Sequence, residues 1–356
     1  MNQTNHMNTL KKIVFILFML SLSCFAVACG QSPAAENEVE AEDFALDTII
    51  NQVVYGEKAQ AAADAVSAEI KELDDLWSVE SAAGDTVKLN SHAGEGYVEL
   101  DPKTVTLLQE AQKISDYSDG AAFDITVAPI VNAWGVCSDD PRVPQAEEIQ
   151  SLLPLVNYED VLIDAAANKA ALRQEGQMID LGGIAKGYIG DLAIERYKEY
   201  GVTSAFINLG GNVVVLGNRP DGTPWKVGIQ DPRGETSDII GYVEVSDQAV
   251  VTSGDYQRYF TEDGKRYCHI IDPRTGYPID NGLMSVTVIT ASSADADGLA
   301  KAIVLGLDEG MELIEKTDGA EAVFITAEKE IYVTSGLRDT FHFEDASNGY
   351  TYIQKG

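Results

Sequence analysis

Tyr259-Phe-Thr-Glu-Asp-Gly-Lys-Arg-Tyr-Cys-His-Ile-Ile-Asp-Pro-Arg-Thr-Gly-Tyr-Pro278 is the stretch on which the fold turns. Asp263-Gly264 lies between two short aromatic runs, and Asp-Gly supplies the left-handed residues that a tight hairpin needs. Asp272 to Pro278 then forms a second, longer turn straight after a strand pattern. Antiparallel pairing is therefore built into this segment. Outward from it, further strands are expected at Ala205–Asn208, Asn212–Leu216, Trp225–Ile229, Tyr242–Val245, Ala249–Val251, Tyr267–Ile271, Val286–Ile289, Ala322–Ile325 and Ile331–Val333.

Helices are fewer. Ala62, Ala65, Val66, Ile70, Leu73 and Leu76 share one side of an amphipathic helix over Ala59–Leu76. Others are expected over Val105–Ile114, over Ile184–Tyr200 with Gly201 as stop, and over Ala294–Leu305 with Ser292 or Ser293 as cap. Many hairpins and a few covering helices predict an α+β fold of antiparallel sheets. The absence of regular βαβ alternation argues against a doubly wound dinucleotide-binding fold.

The chain has 356 residues and a formal charge of −32. So acidic a surface argues against nucleic-acid binding, which needs clustered Lys and Arg. It also repels phosphorylated small molecules, so binding one requires local cations or helix N-termini.

The N-terminus reads as an export signal. Lys11 and Lys12 precede the apolar run Ile13–Leu22, which is shorter than the roughly 20 residues of a membrane-spanning helix. Phe25-Ala-Val-Ala-Cys29 resembles a bacterial lipobox, with cleavage before Cys29 and lipid on its thiol. Gln31–Ala41 has tether composition. The expected division is a lipoprotein signal over 1–28, a lipidated Cys and tether over 29–41, and one enzyme domain over 42–356. Of four cysteines, Cys137 and Cys268 remain in the body, and their pairing is left open.

Four segments carry candidate chemistry. Asp180-Leu-Gly-Gly-Ile-Ala-Lys-Gly-Tyr-Ile-Gly-Asp191 leads from a strand-like end, Gln177-Met-Ile179, into a helix. Gly182 and Gly183 allow close approach of a ligand, and the helix N-terminus with Lys186 favours an anion. Glycines for packing beside an exposed Lys explain the same residues. Thr252, Ser253 and Asp255 interrupt an apolar strand, either as a site or as a strand end. His269, in a strand pattern before a polar turn, is either a general base or a structural histidine. Asp297, early in a helix, is either a Mg²⁺ ligand or an offset to the helix dipole. Gly120–Gly135 and Ile207-Asn-Leu-Gly-Gly-Asn212 place Gly, Asn, Asp and aromatics at element ends, where ligands are commonly held.

In this order and spacing the segments resemble the ApbE family of FAD:protein FMN transferases, over roughly Phe44 to Leu337. The resemblance implies a T-fold-like architecture, FAD as substrate and Mg²⁺ as cofactor. It implies transfer of FMN to a Thr or Ser hydroxyl of an exported flavoprotein, with AMP leaving. Leu46, Phe123, Asp124, Ile125, Asp180, Lys186, Ser253, Asp255 and Ile271 would line the FAD site. Gly183 (through its carbonyl) and Asp297 would hold the metal. His269 would take the acceptor's proton or hold the phosphate.

The chain departs from that pattern in places. Leu46 replaces a common Met, Glu80 falls where an aromatic is usual, and Cys268 stands where many relatives have a second His. Lys301 replaces a Thr that usually ligates the metal; the i,i+4 spacing predicts that it pairs with Asp297, and it would then partly replace the metal's charge and weaken Mg²⁺ affinity without abolishing the reaction. The alternatives are an FAD pyrophosphatase giving FMN and AMP, and a non-catalytic flavin-binding lipoprotein. The body holds no Asp-Gly-x-x-Ser/Thr acceptor segment, so self-flavinylation is not expected.

Overall fold

Nine strands form the central sheet, and their order across it is their order along the chain. They are β1 (Glu38–Ala45), β2 (Thr48–Tyr55), β3 (Ser204–Leu209), β4 (Asn212–Leu216), β5 (Ala249–Gly254), β6 (Leu283–Thr290), β7 (Glu321–Thr326), β8 (Glu330–Val333) and β9 (Thr351–Tyr352). Every neighbouring pair is antiparallel except β8–β9. The computed structural model describes residues 37–235, 237–344 and 348–353. The export signal, the lipobox and Cys29 lie outside the described residues.

The remaining elements are insertions in this meander. Residues 56–203, between β2 and β3, carry α1 (Ala59–Trp77), α2 (Asp85–Ser91), α3 (Pro102–Asp116), α4 (Ala128–Trp134), α5 (Ala146–Leu152) and α6 (Ala185–Glu199). The connection from β6 to β7 carries α7 (Ser293–Leu299), a 3₁₀ segment (Ala300–Leu305) and α8 (Leu307–Lys316). Between β4 and β5, Trp225–Gln230 and Ile239–Val245 pair, and Phe341–Phe343 joins them as a small second sheet.

The central sheet is covered on both sides. β4 and β6 are buried at every position, which is unusual for antiparallel strands. Alternation divides the side chains: Val214, Leu216, Val251, Val286 and Phe324 join the core under the helices. Val213, Val215, Val250, Ile289 and Val323 face the small sheet and its Trp225, Val227 and Val243. A third cluster of Ile130, Trp134, Ile149 and Ile271 joins α4 and α5 to the hairpin over residues 259–268.

The fold is the expected α+β arrangement of antiparallel sheets. Ser292 accepts a hydrogen bond from the Asp295 amide, 3.2 Å, as a cap of α7. Asp263 and Gly264 both have positive φ at the tip of the predicted hairpin. Three expectations need correction. Residues 38–41, read as tether, are the first half of β1, because Glu38–Ala41 pair in register with Gln52–Tyr55. Gln177-Met-Ile179 forms no strand; the Asn90 side chain brackets Ile179 (2.7 and 3.0 Å) and meets the backbone needs that a neighbouring strand would meet. The strand expected over Tyr267–Ile271 stops at Cys268, because Ile271 pairs onward with Pro278. His269 therefore sits between two ladders. Cys137 (exposed) and Cys268 (buried) are both free thiols.

Candidate active site

The site is built where α6 meets α7. A Cβ on Gly187 would lie 2.3 Å from the Ser293 carbonyl oxygen and 2.6 Å from Asp297 Cβ. One on Gly190 would lie 2.7 Å from Ser293 Oγ. Two glycines one turn apart thus let the helix backbones touch. Asp191 fastens the contact, accepting from the amides of Ser293 (2.7 Å) and Ala294 (2.9 Å) and from Ser292 Oγ (3.0 Å). These interactions also neutralise the N-terminus of α7.

That closeness brings Asp297 to the Gly187 amide. Asp297 Oδ2 accepts from Gly187 N and from Asn212 Nδ2, both at 2.9 Å. Lys301, one turn later, donates from Nζ to the Asp297 carbonyl at 3.0 Å and to Ser253 Oγ at 3.2 Å, and lies 3.3 Å from Asp297 Oδ1. Only 5% of the Asp297 side chain and 18% of the Lys301 side chain reach solvent. Burial pulls the Lys301 pKa below its ordinary value, Asp297 opposes this, and the Lys186 charge adds to it. Gly183 sits against this centre, since a Cβ there would meet Phe123 at 3.0 Å and the Lys301 stem at 3.4 Å.

His269 occupies the other side. Its amide donates to the Arg258 carbonyl (3.0 Å), and ring Nδ1 lies 3.2 Å from the same oxygen. A carbonyl only accepts, so Nδ1 carries the proton and Nε2 keeps its lone pair. The ring is partly open to solvent but lies deep in protein. That burial, then the charges of Lys301, Arg258 and Lys186, pushes its pKa down to about 4. The imidazole is neutral at pH 7. Lys186, half-buried at the start of α6, has no hydrogen-bonding or ion-pair partner among the described residues.

Arg258 leads outward to a cleft of about 520 Å³ lined by Asp47, Glu80, Val136, Cys137, Ser138, Gln257, Arg258 and Tyr259. Leu46 forms the β1–β2 turn beside Asp47, both at φ 55°, and its amide is held by Asp74 at 3.0 Å. Glu80, singled out in the sequence, stands exposed on this lining.

Other expected residues have structural partners. Asp124 Oδ1 serves its own loop, accepting from Thr126 N (2.8 Å) and Thr126 Oγ1 (2.6 Å), and its Oδ2 accepts from the distant Tyr158 amide (2.9 Å). Burial raises its pKa against those bonds. Phe123 packs at Gly183, and the Ile125 carbonyl accepts from the Asp180 amide at 2.8 Å. Asp180 Oδ1 caps Gly182 N at 2.7 Å. Asp255 is clamped by both Arg233 nitrogens at 2.8 and 2.7 Å. Ile271 is buried in the α4–α5 cluster. Sequence reasoning assigned no role to Asn212, Gly187, Arg233 or Arg258. For Asn212 the Gly-Gly-Asn turn was a signal and for Gly187 its place in the glycine-rich Asp180–Asp191 segment, while nothing marked Arg233 or Arg258.

The donor set tests poorly for Mg²⁺. Mg²⁺ demands oxygens at about 2.1 Å in an octahedron. Asp297 Oδ2 is taken by two N–H donors and Oδ1 faces an ammonium. Among the described residues no group of three His, Cys, Asp or Glu side chains is placed to hold a metal. As arranged, the residues do not fit the ion.

Known proteins share both the sequence pattern and the fold of this chain. The ApbE family profile matches residues 46–324. A FAD:protein FMN transferase of Klebsiella pneumoniae (strain 342) is 36% identical over 295 residues, 83% of this chain and 90% of that protein. One from Treponema pallidum is 30% identical over 346 residues, covering 92% and 95%. The crystal structure of an ApbE protein from Thermotoga maritima superposes with TM-score 0.79 at 34% identity, over 85% of this chain and 98% of that one. A flavin transferase ApbE from Vibrio cholerae superposes with TM-score 0.76 at 28% identity, over 85% and 99%.

Proposed function

The chain belongs to the ApbE family, and from that premise we propose that it transfers FMN from FAD to a Thr or Ser hydroxyl of a partner protein, releasing AMP. The observation that carries this reading is a cluster of cations inside a strongly acidic protein. Lys186, at a helix N-terminus and without a hydrogen-bonding or ion-pair partner among the described residues, lies with Lys301 close enough to act electrostatically on a neutral His269. A pyrophosphate is the kind of group such a cluster suits.

The acceptor oxygen bonds to the phosphorus on the FMN side. The bond from that phosphorus to the bridging oxygen breaks, and its electron pair leaves with AMP. His269 Nε2 takes the hydroxyl proton; its low pKa keeps it free to do so at pH 7. Lys186 and the amides at the start of α6 offset the phosphate charge and fix its position, which is most of what phosphoryl-type transfer asks of a protein. The resemblance adds Mg²⁺, but Asp297 offers it no free oxygen, and no step here runs through it.

The acceptor is an exported flavoprotein, and the enzyme works at the outer face of the cytoplasmic membrane, anchored through lipid on Cys29. The supporting signal is Lys11-Lys12, the short apolar run and the lipobox. A second reading, hydrolysis of FAD to FMN and AMP, draws on Glu80 and Asp47, which make the cleft lining acidic. Incubation of the detergent-solubilised full chain with FAD and a protein carrying Asp-Gly-x-x-Thr separates them. Transfer gives AMP and a fluorescent acceptor in a denaturing gel; hydrolysis gives AMP, free FMN and a dark acceptor.

A further inference from the structure

Lys301 Nζ is enclosed by three oxygens: the Asp297 carbonyl (3.0 Å), Asp297 Oδ1 (3.3 Å) and Ser253 Oγ (3.2 Å). An ammonium has three donors and no acceptor, so this cage suits the charged form. The anchoring is firm. Asp297 is itself fixed by Gly187 and Asn212, and the Lys301 stem passes against Gly183. The Ser253 hydroxyl is the one contact of the three that a substrate oxygen can displace without unpairing the lysine from Asp297. A divalent ion on Asp297 would have to share Oδ1 with this ammonium at close range, against like-charge repulsion.

We propose that the Lys301 ammonium is this protein's built-in counter-ion for the substrate pyrophosphate and stands in place of a divalent metal. FAD binding and AMP release then need no added metal ion. Asp297 acts as the positioning residue that holds the ammonium. The inference rests on the transfer reading only for the identity of the substrate.

The test uses the full chain in detergent, stripped with EDTA, with three readouts: flavin fluorescence on FAD binding, AMP release, and loss of the free Mn²⁺ electron-spin signal. The wild type should bind FAD and release AMP in EDTA within about twofold of its rate in Mg²⁺, and should bind no Mn²⁺. Lys301→Met should weaken FAD binding at least about tenfold, the worth of one charge-assisted hydrogen bond, with no rescue by Mg²⁺. Lys301→Thr should show the same loss in EDTA, recover in Mg²⁺ and take up Mn²⁺.

Stoichiometric Mn²⁺ binding by the wild type would overturn the proposal without any variant. So would AMP release that collapses in EDTA and returns with Mg²⁺. Absence of AMP in every condition would instead refute the transfer reading. FAD binding and the Mn²⁺ signal would still decide Lys301: binding in EDTA that Lys301→Met loses supports it, and binding that needs the metal ends it.

Discussion

The Asp297–Lys301 centre and the cleft below Arg258 are both lined by charge, yet they are built in opposite ways. At the centre each Asp297 oxygen and the Lys301 ammonium has a partner, and the pair is nearly dry. At the cleft, Asp47 and Glu80 stand on an open lining, and the Glu80 carboxylate has no partner among the described residues. The first region holds charge rigidly, which is what positioning a reacting phosphate requires. The second can change its lining at little cost to the fold.

The sharpest way to break this contrast is Asp297→Ala. It strands the Lys301 cation and the Gly187 and Asn212 donors, and urea unfolding should show a loss of about 3–5 kcal/mol together with lost AMP release. A loss below 1 kcal/mol would mean the centre is not rigidly paired. Next comes His269→Gln, expected to slow AMP release by about 10²–10⁴ while FAD still binds. Its pH dependence has a definite sign. The folded ring, with pKa about 4, refuses a proton that the unfolded ring accepts below its ordinary 6.5. The native protein should therefore lose stability as pH falls from 6.5 towards 4, and His269→Gln should lose less over that window in parallel urea titrations.

Gly187→Ala tests the α6–α7 contact, because its methyl would meet backbone oxygen at 2.3 Å. A thermal melt should register a loss of about 1–3 kcal/mol. The smallest effect belongs to the cleft. Glu80→Tyr should leave the melt unchanged and tighten FAD by about 0.5–1.5 kcal/mol through ring stacking. An equal effect of Glu80→Tyr on stability would erase the distinction between the regions.

The two regions also differed in how far the sequence exposed them. The Asp263-Gly264 hairpin and the apolar runs of β4 and β6 were legible because local chemistry specifies them. The β1–β2 hairpin was not: Glu38–Ala45 carries four acids, and its turn uses Leu46-Asp47 in left-handed geometry without glycine. It is held in place by the β2–β3 ladder and by side-chain bonds to α1, which are tertiary facts. Within the site, the Asp297–Lys301 pair was readable from i,i+4 spacing. Its partners Gly187, Asn212 and Ser253 lie 110, 85 and 48 residues from the groups they bind, beyond any local pattern. Likewise the glycines of the Asp180–Asp191 segment divide by role only in three dimensions, Gly187 and Gly190 serving helix contact and Gly183 facing the lysine.

FMN transfer is tested most directly by the intact mass of an Asp-Gly-x-x-Thr acceptor after incubation with this chain and FAD, read beside AMP in the same tube. One FMN should be added per acceptor, with equimolar AMP and no addition when the acceptor Thr is Ala. An unmodified acceptor beside free FMN and AMP would contradict it.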